Sequence, residues 1–302
     1  MVIDGKKLKD ALQKRGMNKS DLCRVAGVSS RTIAKIAKGE VIRDSVVCRI
    51  AEALSVKKGE LVLQNAVLET LRQEMTLKLS GGLYHETQVR LTYNSNHIEG
   101  SRLTEDQTRF IFETRTIGAL PPDVTLDDII ETTNHFRCID EVIARAKDPL
   151  SEDCIKRLHL LLKSGTRSAA TYGAGEYKRL PNTVGGIETT APAEVSREMH
   201  ALLGWYLGLK HVTCEDIVEF HYRFECIHPF QDGNGRIGRL VAFKECLRAG
   251  IVPFYIDDRY KLEYYNGLRQ WNVERGFLIE TCRLGQDLYK MLLDYFHVPY
   301  QD

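Results

Sequence analysis

The sequence predicts a mainly α-helical protein, with a small N-terminal helical bundle ahead of a larger helical body that carries one short β-hairpin. Three observations predict this. Apolar residues recur at i, i+3 and i+4 through most of the 302 residues, as in helices that bury one face. One stretch, Gly173 to Ile187, shows alternation and turn residues instead, which reads as a hairpin. Charge divides the chain: the first 63 residues hold 14 Lys and Arg against 7 Asp and Glu, and the rest hold 28 against 34. A basic front and an acidic body point to two modules with different partners.

In the front, Lys7 to Arg15 forms a first helix with Leu8, Ala11 and Leu12 on one side. Asn18 to Asp21 starts a second that runs to Ala26, and Gly27 turns the chain. Ser29 or Ser30 caps a third through Lys38, with Ile33, Ala34 and Ile36 inward, and Gly39 stops it. Ser45 to Leu54 and Lys58 to Leu63 complete five short helices. Two short helices split by a glycine turn form a helix-turn-helix pattern. Residues 62–82 read as a connecting helix ending at Gly81-Gly82, which puts a stiff domain boundary near residue 65. Body helices follow over 83–97, 104–114, 125–146, 151–162, 193–209, 214–227, 233–248, 259–273 and 277–296.

The composition, 43% hydrophobic and 27% charged, is that of an ordinary soluble globular protein. No apolar run approaches the roughly 18–20 residues of a membrane span, and Met1 to Lys7 lacks the apolar stretch of a signal peptide. The eight cysteines are scattered singly, several in apolar helical patterns (Cys138, Cys226, Cys246), and make no C-x-x-C pair. Zinc and disulfides are therefore poorly supported. The expectation is a cytoplasmic protein with reduced, buried thiols and no membrane partner.

The run His228-Pro229-Phe230-Gln231-Asp232-Gly233-Asn234-Gly235-Arg236-Ile237-Gly238-Arg239 concentrates the chemistry. His228 can take a proton near neutral pH, and Asp232 offers a hard oxygen ligand for Mg²⁺. Gly233 and Gly235 let backbone approach a phosphate, and Asn234 suits a tight turn. The helix-forming stretch that follows places this turn at a helix N-terminus, where anions bind. Arg236 and Arg239, three apart, share a helix face and can both reach one polyphosphate.

The run resembles the Fic family signature H-P-F-x-[D/E]-G-N-G-R-x-x-R at all nine fixed positions, and the resemblance spans roughly residues 66–296. It implies a Fic helical core with a hairpin flap, and transfer of AMP from ATP to a Ser, Thr or Tyr hydroxyl of a protein, with ATP and Mg²⁺ required. It extends nucleotide binding to Asp232, Gly233, Asn234, Gly235, Arg236, Ile237, Gly238 and Arg239. Ser95-Asn96-His97-Ile98-Glu99-Gly100 fits the family's inhibitory pattern [S/T]-x-x-x-E-[G/N], with the inhibitory helix spanning about 83–100. Ser95 and Glu99 lie on one face if the segment is helical. The resemblance pairs Glu99 with Arg239, in the space the ATP γ-phosphate needs, and implies weak activity by default.

By position, residues Leu180 to Ile187 match the family's flap, which holds the target segment by strand addition. Val184, Gly185, Gly186 and Ile187 would border the nucleotide. Tyr264, Tyr265 and Asn272 lie where similar proteins hold adenine and ribose. Related proteins often form homo-oligomers and modify themselves. The pattern S-D-L-C-R-V-A-G-V-S-S-R-T-I-A-K-I resembles Cro/repressor-type DNA-binding domains. That likeness makes Ser29 to Lys38 a recognition helix, with Ser30, Arg31, Thr32 and Lys35 toward DNA. The domains expected are therefore 1–65 and 66–302. Three other readings share these residues: AMP removal using Glu99, transfer of another nucleotide such as UMP, and a transcription regulator whose Fic body senses nucleotide.

Overall fold

The computed structural model describes residues 3–38, 40, 42–62, 65–118, 123–184 and 187–300. It divides into two compact units, one of residues up to Thr70 together with those from Leu293, the other Leu71–Leu292.

The first unit contains α1 (Gly5–Arg15), α2 (Lys19–Ala26), α3 (Ser30–Ala37), α4 (Asp44–Leu54) and α5 (Lys58–Leu61). Local chemistry sets their ends. Asp4 accepts from the Lys6 and Lys7 N–H groups at 2.8 and 3.1 Å. Asn18 and Asp21 form a reciprocal capping box, and Ser29 rather than Ser30 caps α3. Gly16 and Gly27 end α1 and α2 in the left-handed conformation. Leu22, Val47 and Ile50 lie fully buried at the centre of this unit. Helix α4 starts at Asp44 after an N-cap Arg43 that makes no side-chain cap bond, not at Ser45. The expected stop at Gly39 lies outside the described residues. One feature went unexpected, a bridge of Ile3 to Val62 that brings the two ends of the bundle together.

The chain passes between the units within α6 (Ala66–Leu77), shorter than the expected 62–82. The second unit is built on α7 (Leu83–Ile98), α8 (Glu105–Thr114), α9 (Leu126–Ala144), α10 (Glu152–Lys163), α11 (Arg167–Tyr172), α12 (Val195–Leu207), α13 (Cys214–Ile227), α14 (Asn234–Ala249), α15 (Lys261–Gln270) and α16 (Gly276–Tyr295). Capping boxes at Thr104/Gln107, Thr125/Asp128 and Thr213/Asp216 fix the starts of α8, α9 and α13. Helix α13 packs on α14, and α9 touches α7, α10 and α14.

Helix α7 is polar in sequence yet buried on nearly every side. Many of its polar groups find partners, as buried groups usually do, although Gln88 Oε1, Asn96 Oδ1 and His97 Nδ1 have none among the described residues. Tyr84 donates to Asp140 at 2.6 Å, Gln88 to Asp140 at 2.7 Å, and Asn94 accepts from the Asp258 N–H at 2.8 Å. Two of these bonds tie α7 to Asp140 of α9 and the third to the turn at Asp258, which sets the course of the helix toward Glu99.

The hairpin is narrower than the alternation suggests. Among the described residues only Thr183–Val184 (β1) and Ile187–Glu188 (β2) pair. Upstream, the backbone donors go elsewhere: Lys178 N–H to Pro229 O at 2.8 Å, Leu180 N–H to Gln231 Oε1 at 3.3 Å, and Gly175 N–H to His159 Nδ1 at 2.8 Å. A strand without free donors cannot extend a ladder. All eight cysteines are free, and Cys226 is exposed, unlike buried Cys138 and Cys246. Among the described residues no helix is long and apolar enough to cross a membrane.

Candidate active site

The loop between α13 and α14 is shaped by its own sequence. His228 ends α13 in the left-handed region (φ 51°), its N–H bonded to Phe224 O at 2.9 Å. This conformation is uncommon for a residue with a side chain. Phe230 is fully buried and stacks on His159 at 3.8 Å, whose Nε2 meets the Asp232 carbonyl at 3.0 Å. Asn234 accepts from the Phe230 N–H and donates to the Phe230 carbonyl, both at 2.8 Å. Its side chain is thereby committed to closing the turn, so a role in orienting phosphate falls to its backbone. Gly233 (φ 86°) opens α14 without a capping side chain, which leaves the first-turn N–H groups to an incoming anion.

Ionic pairs dominate the surroundings. Arg239 is buried; its Nε donates to Ser95 Oγ at 3.0 Å, and its Nη2 to the Ser95 carbonyl at 2.8 Å and Glu99 Oε1 at 2.7 Å. Burial works against its charge, but Glu99 and Tyr264 outweigh it and raise the guanidinium above its ordinary range. Glu99 is the residue just past the last turn of α7, followed by left-handed Gly100. A methyl added at Gly235 would overlap the Glu99 carboxylate and crowd Arg239. The acid therefore lies directly over the glycine cradle.

Arg236 turns another way, to Glu131 and to Asp232 at 3.5 Å. The two arginines, expected to address one polyphosphate, are here turned to different acids. They share the face, but each is drawn to a separate acid. Lys163, buried, bonds Glu131 and stands 2.5 Å from Asp232 Oδ2. Burial opposes ionisation of Asp232, but Arg236 and Lys163 prevail and hold its carboxyl down at about 2. His228 Nδ1 lies 3.5 Å from Glu225 Oε2.

Other expected site residues divide. Tyr264 is only 1% exposed and bonds His221 Nε2 at 2.7 Å, so its ring is core and offers no face to a purine. Tyr265 is 38% exposed and its hydroxyl donates to the Ile98 carbonyl at 3.2 Å, which latches the end of α7. Asn272 is exposed just beyond α15. Ile237 is fully buried, its N–H spent on the Gly233 carbonyl. At Gly238 a methyl would strike His221 and Glu225, so that glycine serves helix packing. Val184 and Ile187 pair across the hairpin, and Gly185 and Gly186 lie outside the described residues. Sequence reasoning missed Glu131, Lys163, Glu225 and His221. The last two carried a signal, since Glu225 stands four after His221 and three before His228.

Among the described residues no three His, Cys, Asp or Glu side chains gather into a metal cage. A lone ionised carboxylate such as Asp232 still fits Mg²⁺, which takes one or two carboxylates and completes its shell with phosphates and water. In the first unit, Ser30 and Arg31 are exposed on α3. Thr32 bonds back to Ser29 at 3.0 Å, and Lys35 pairs with Glu40 at 3.2 Å.

Residues 149–245 match the model of the Fic/DOC family, and residues 7–63 that of the Cro/C1-type HTH DNA-binding domain. The chain is similar to the protein adenylyltransferase Fic of Nematostella vectensis, 30% identical over 224 residues that take in 72% of this chain and 47% of that protein. The Aedes aegypti protein of the same name is 27% identical over 254 residues, 82% of this chain and 49% of that one. The chain thus spans about half the length of the curated relatives it matches. A Fic domain containing signaling protein from Bacteroides thetaiotaomicron superposes with a TM-score of 0.60 at 26% identity, over 75% of this chain and 94% of that one. Fic-1 from C. elegans superposes at 0.59 with 18% identity, over 96% and 92%, a likeness of fold.

Proposed function

The chain carries a Fic/DOC domain and a Cro/C1-type helix-turn-helix domain, and on that premise we propose that it is a protein adenylyltransferase held inactive by Glu99. Residues 66–302 form the catalytic body, and residues 1–65 a module for DNA. The observation that carries this reading is the Glu99–Arg239 pair lying over Gly235, at the helix N-terminus that closes on His228.

The mechanism follows from the groups present. The first-turn N–H groups of α14 bind the phosphates of ATP. Arg236 and Arg239 offset their charge, Arg239 only after Glu99 withdraws. His228 removes the proton of a Ser, Thr or Tyr hydroxyl on the target as its oxygen attacks the α-phosphorus. The new P–O bond forms, the bond to pyrophosphate breaks, and the proton stays on the imidazole. Asp232 would hold Mg²⁺, which when bound supplies positive charge for the phosphate oxygens. Lys178, Leu180 and Asn182, which lead into the hairpin, bond to residues 227–231, which supports a role for this segment in aligning the target strand.

The test uses ATP labelled at the α-phosphate with wild type, Glu99→Gly and Glu99→Gly/His228→Ala, each with cell lysate as target. Label on protein in Glu99→Gly, lost in the double variant, is the expected result. Label in neither overturns the reading in favour of another nucleotide, AMP removal, or regulation through DNA.

A further inference from the structure

We propose that Glu225 is the positioning residue for His228, fixing the Nδ1 edge of the ring from the buried side so that Nε2 faces the target hydroxyl. This rests on the reading of His228 as the base.

The placement starts from sequence spacing. His221 and Glu225 are four apart on α13, and His228 follows three after Glu225, so all three converge on one helix face. The left-handed backbone at His228 turns its ring back over the last turn of α13. Glu225 Oε2 then stands 3.5 Å from His228 Nδ1, and Oε1 4.0 Å from His221 Nδ1. Among the described residues His228 Nδ1, His221 Nδ1 and Glu225 Oε1 have no hydrogen-bond partner. Buried polar atoms left this way are costly. A small rotation of the His228 ring closes the 3.5 Å gap to Glu225 Oε2 as an N–H···O bond and relieves the first of them.

A carboxylate here is otherwise badly placed. It is 9% exposed and sits in the last turn of a helix, where the dipole disfavours negative charge. The titratable and charged groups that act on it come from several elements. His221 shares its helix, and His228 comes from the loop. Arg239 comes from α14 and Tyr264 from α15, and Glu99 at the end of α7 acts on the same Tyr264. Burial pushes its carboxyl up, but His228, His221 and Arg239 prevail and keep it ionised. His221 is itself held neutral, down at about 4, chiefly by burial, so it donates no full charge. Gly238 permits the close approach, since a methyl there would lie 2.8 Å from Glu225 Oε1 and 2.6 Å from His221 Nδ1.

The chemistry follows. With the proton on Nδ1, held toward Glu225, the Nε2 lone pair is free to take the hydroxyl proton. The imidazolium formed in that step then faces a fixed negative charge, and the transition state gains what the resting state does not.

The experiment measures Glu225→Gln and Glu225→Asp, both in the Glu99→Gly background, beside that parent and its His228→Gln derivative. Initial rates of AMP transfer are followed against pH and ATP concentration. Histidine ring signals are titrated by NMR, with His228 assigned by its loss in His228→Gln. For Glu225→Gln the expected result is a kcat lower by roughly 10- to 100-fold, with KM for ATP within about twofold. The acid limb and the His228 ring midpoint both move to lower pH. Glu225→Asp falls between parent and Gln in both readouts. A folded Glu225→Gln with unmoved ring midpoint and acid limb, or with KM rather than kcat changed, overturns the proposal. Where Glu225→Gln melts too low to assay, a ring midpoint in Glu225→Asp equal to the parent's does the same. If the Glu99→Gly parent transfers no AMP, the functional reading fails, and the ring titration still decides the role of Glu225.

Discussion

Replacing Glu99 by glycine removes one carboxylate from a guanidinium that is itself buried. Arg239 loses the 2.7 Å bond to Glu99 but keeps its Nε and Nη2 bonds to Ser95. A hydrogen bond between charged groups is worth about 1.5–3 kcal/mol, and the side chains are 4% and 29% exposed, so little solvent screening applies. If that bond is what holds the site closed, its loss raises the ATP-competent fraction about 10- to 150-fold, at 1.4 kcal/mol per tenfold. The same loss leaves Arg239 short of a partner, so the ligand-free variant melts lower than wild type. ATP then restores a counter-charge. The assay is paired: initial rate of AMP transfer, and thermal shift with and without ATP and Mg²⁺. The expected pattern is a gain in rate within that range, a lower ligand-free Tm, and a larger ATP-induced rise in Tm than wild type shows. A rate gain under threefold with an unchanged ATP shift would refute the reasoning, because Glu99 would then hold back neither binding nor turnover.

Ser95→Ala removes the Nε partner alone and should give a smaller gain, up to about 10-fold at 0.5–1.5 kcal/mol per bond, measured in the same transfer assay. Glu40→Gln frees Lys35 from an exposed pair of 3.2 Å worth up to about 1 kcal/mol. It should tighten binding to duplex DNA at low salt up to about fivefold by fluorescence anisotropy, while Arg31→Ala weakens it and lowers the salt slope by about 1. His135 is held neutral, down at about 3, first by burial and then by Arg236 and Arg239. Because its folded value lies below its unfolded one, the unfolded chain binds the proton first. Stability should fall as pH drops from about 6.5 toward 3, and urea midpoints at pH 7 and pH 5 should differ less in His135→Gln.

What the sequence revealed and what it hid follow from the range of the forces involved. Caps, glycine turns and apolar periodicity act within a few residues, so the helices and the loop from His228 to Arg239 could be read directly. The partners of that loop could not. Glu131 reaches Arg236 from a position 105 residues away, and Lys163 reaches Asp232 from 69; neither helix announces a charge meant for another. Tyr264 shows the same limit, since a tyrosine at helical spacing looks alike whether it packs a core or lines a pocket, and only its burial decides. The hairpin was misjudged in length because its alternation is local, whereas the claim on its donors by residues 229–231 is not.

These hidden partners bear on the proposal that Glu99 is a removable acid. Among the described residues, Lys163, Arg236 and Arg239 meet Glu131, Asp232 and Glu99, three cations against three carboxylates. With Glu225 also ionised beside Arg239, the site holds no spare positive charge, so a polyphosphate entering it adds uncompensated negative charge unless a carboxylate leaves. Glu131 sits within α9 and bonds two cations at once, and its departure would strand both. Asp232 belongs to the loop itself. Among the described residues Glu99 has a single ion-pair partner, and it stands beyond the last turn of α7, where Tyr265 bonds to Ile98. Swinging it out breaks one ion pair, leaves the α7 ladder whole, and lets a phosphate take its place beside Arg239. Of these three acids it is the one whose exchange for a ligand costs the fold least, which is what the proposal that Glu99 switches the site requires.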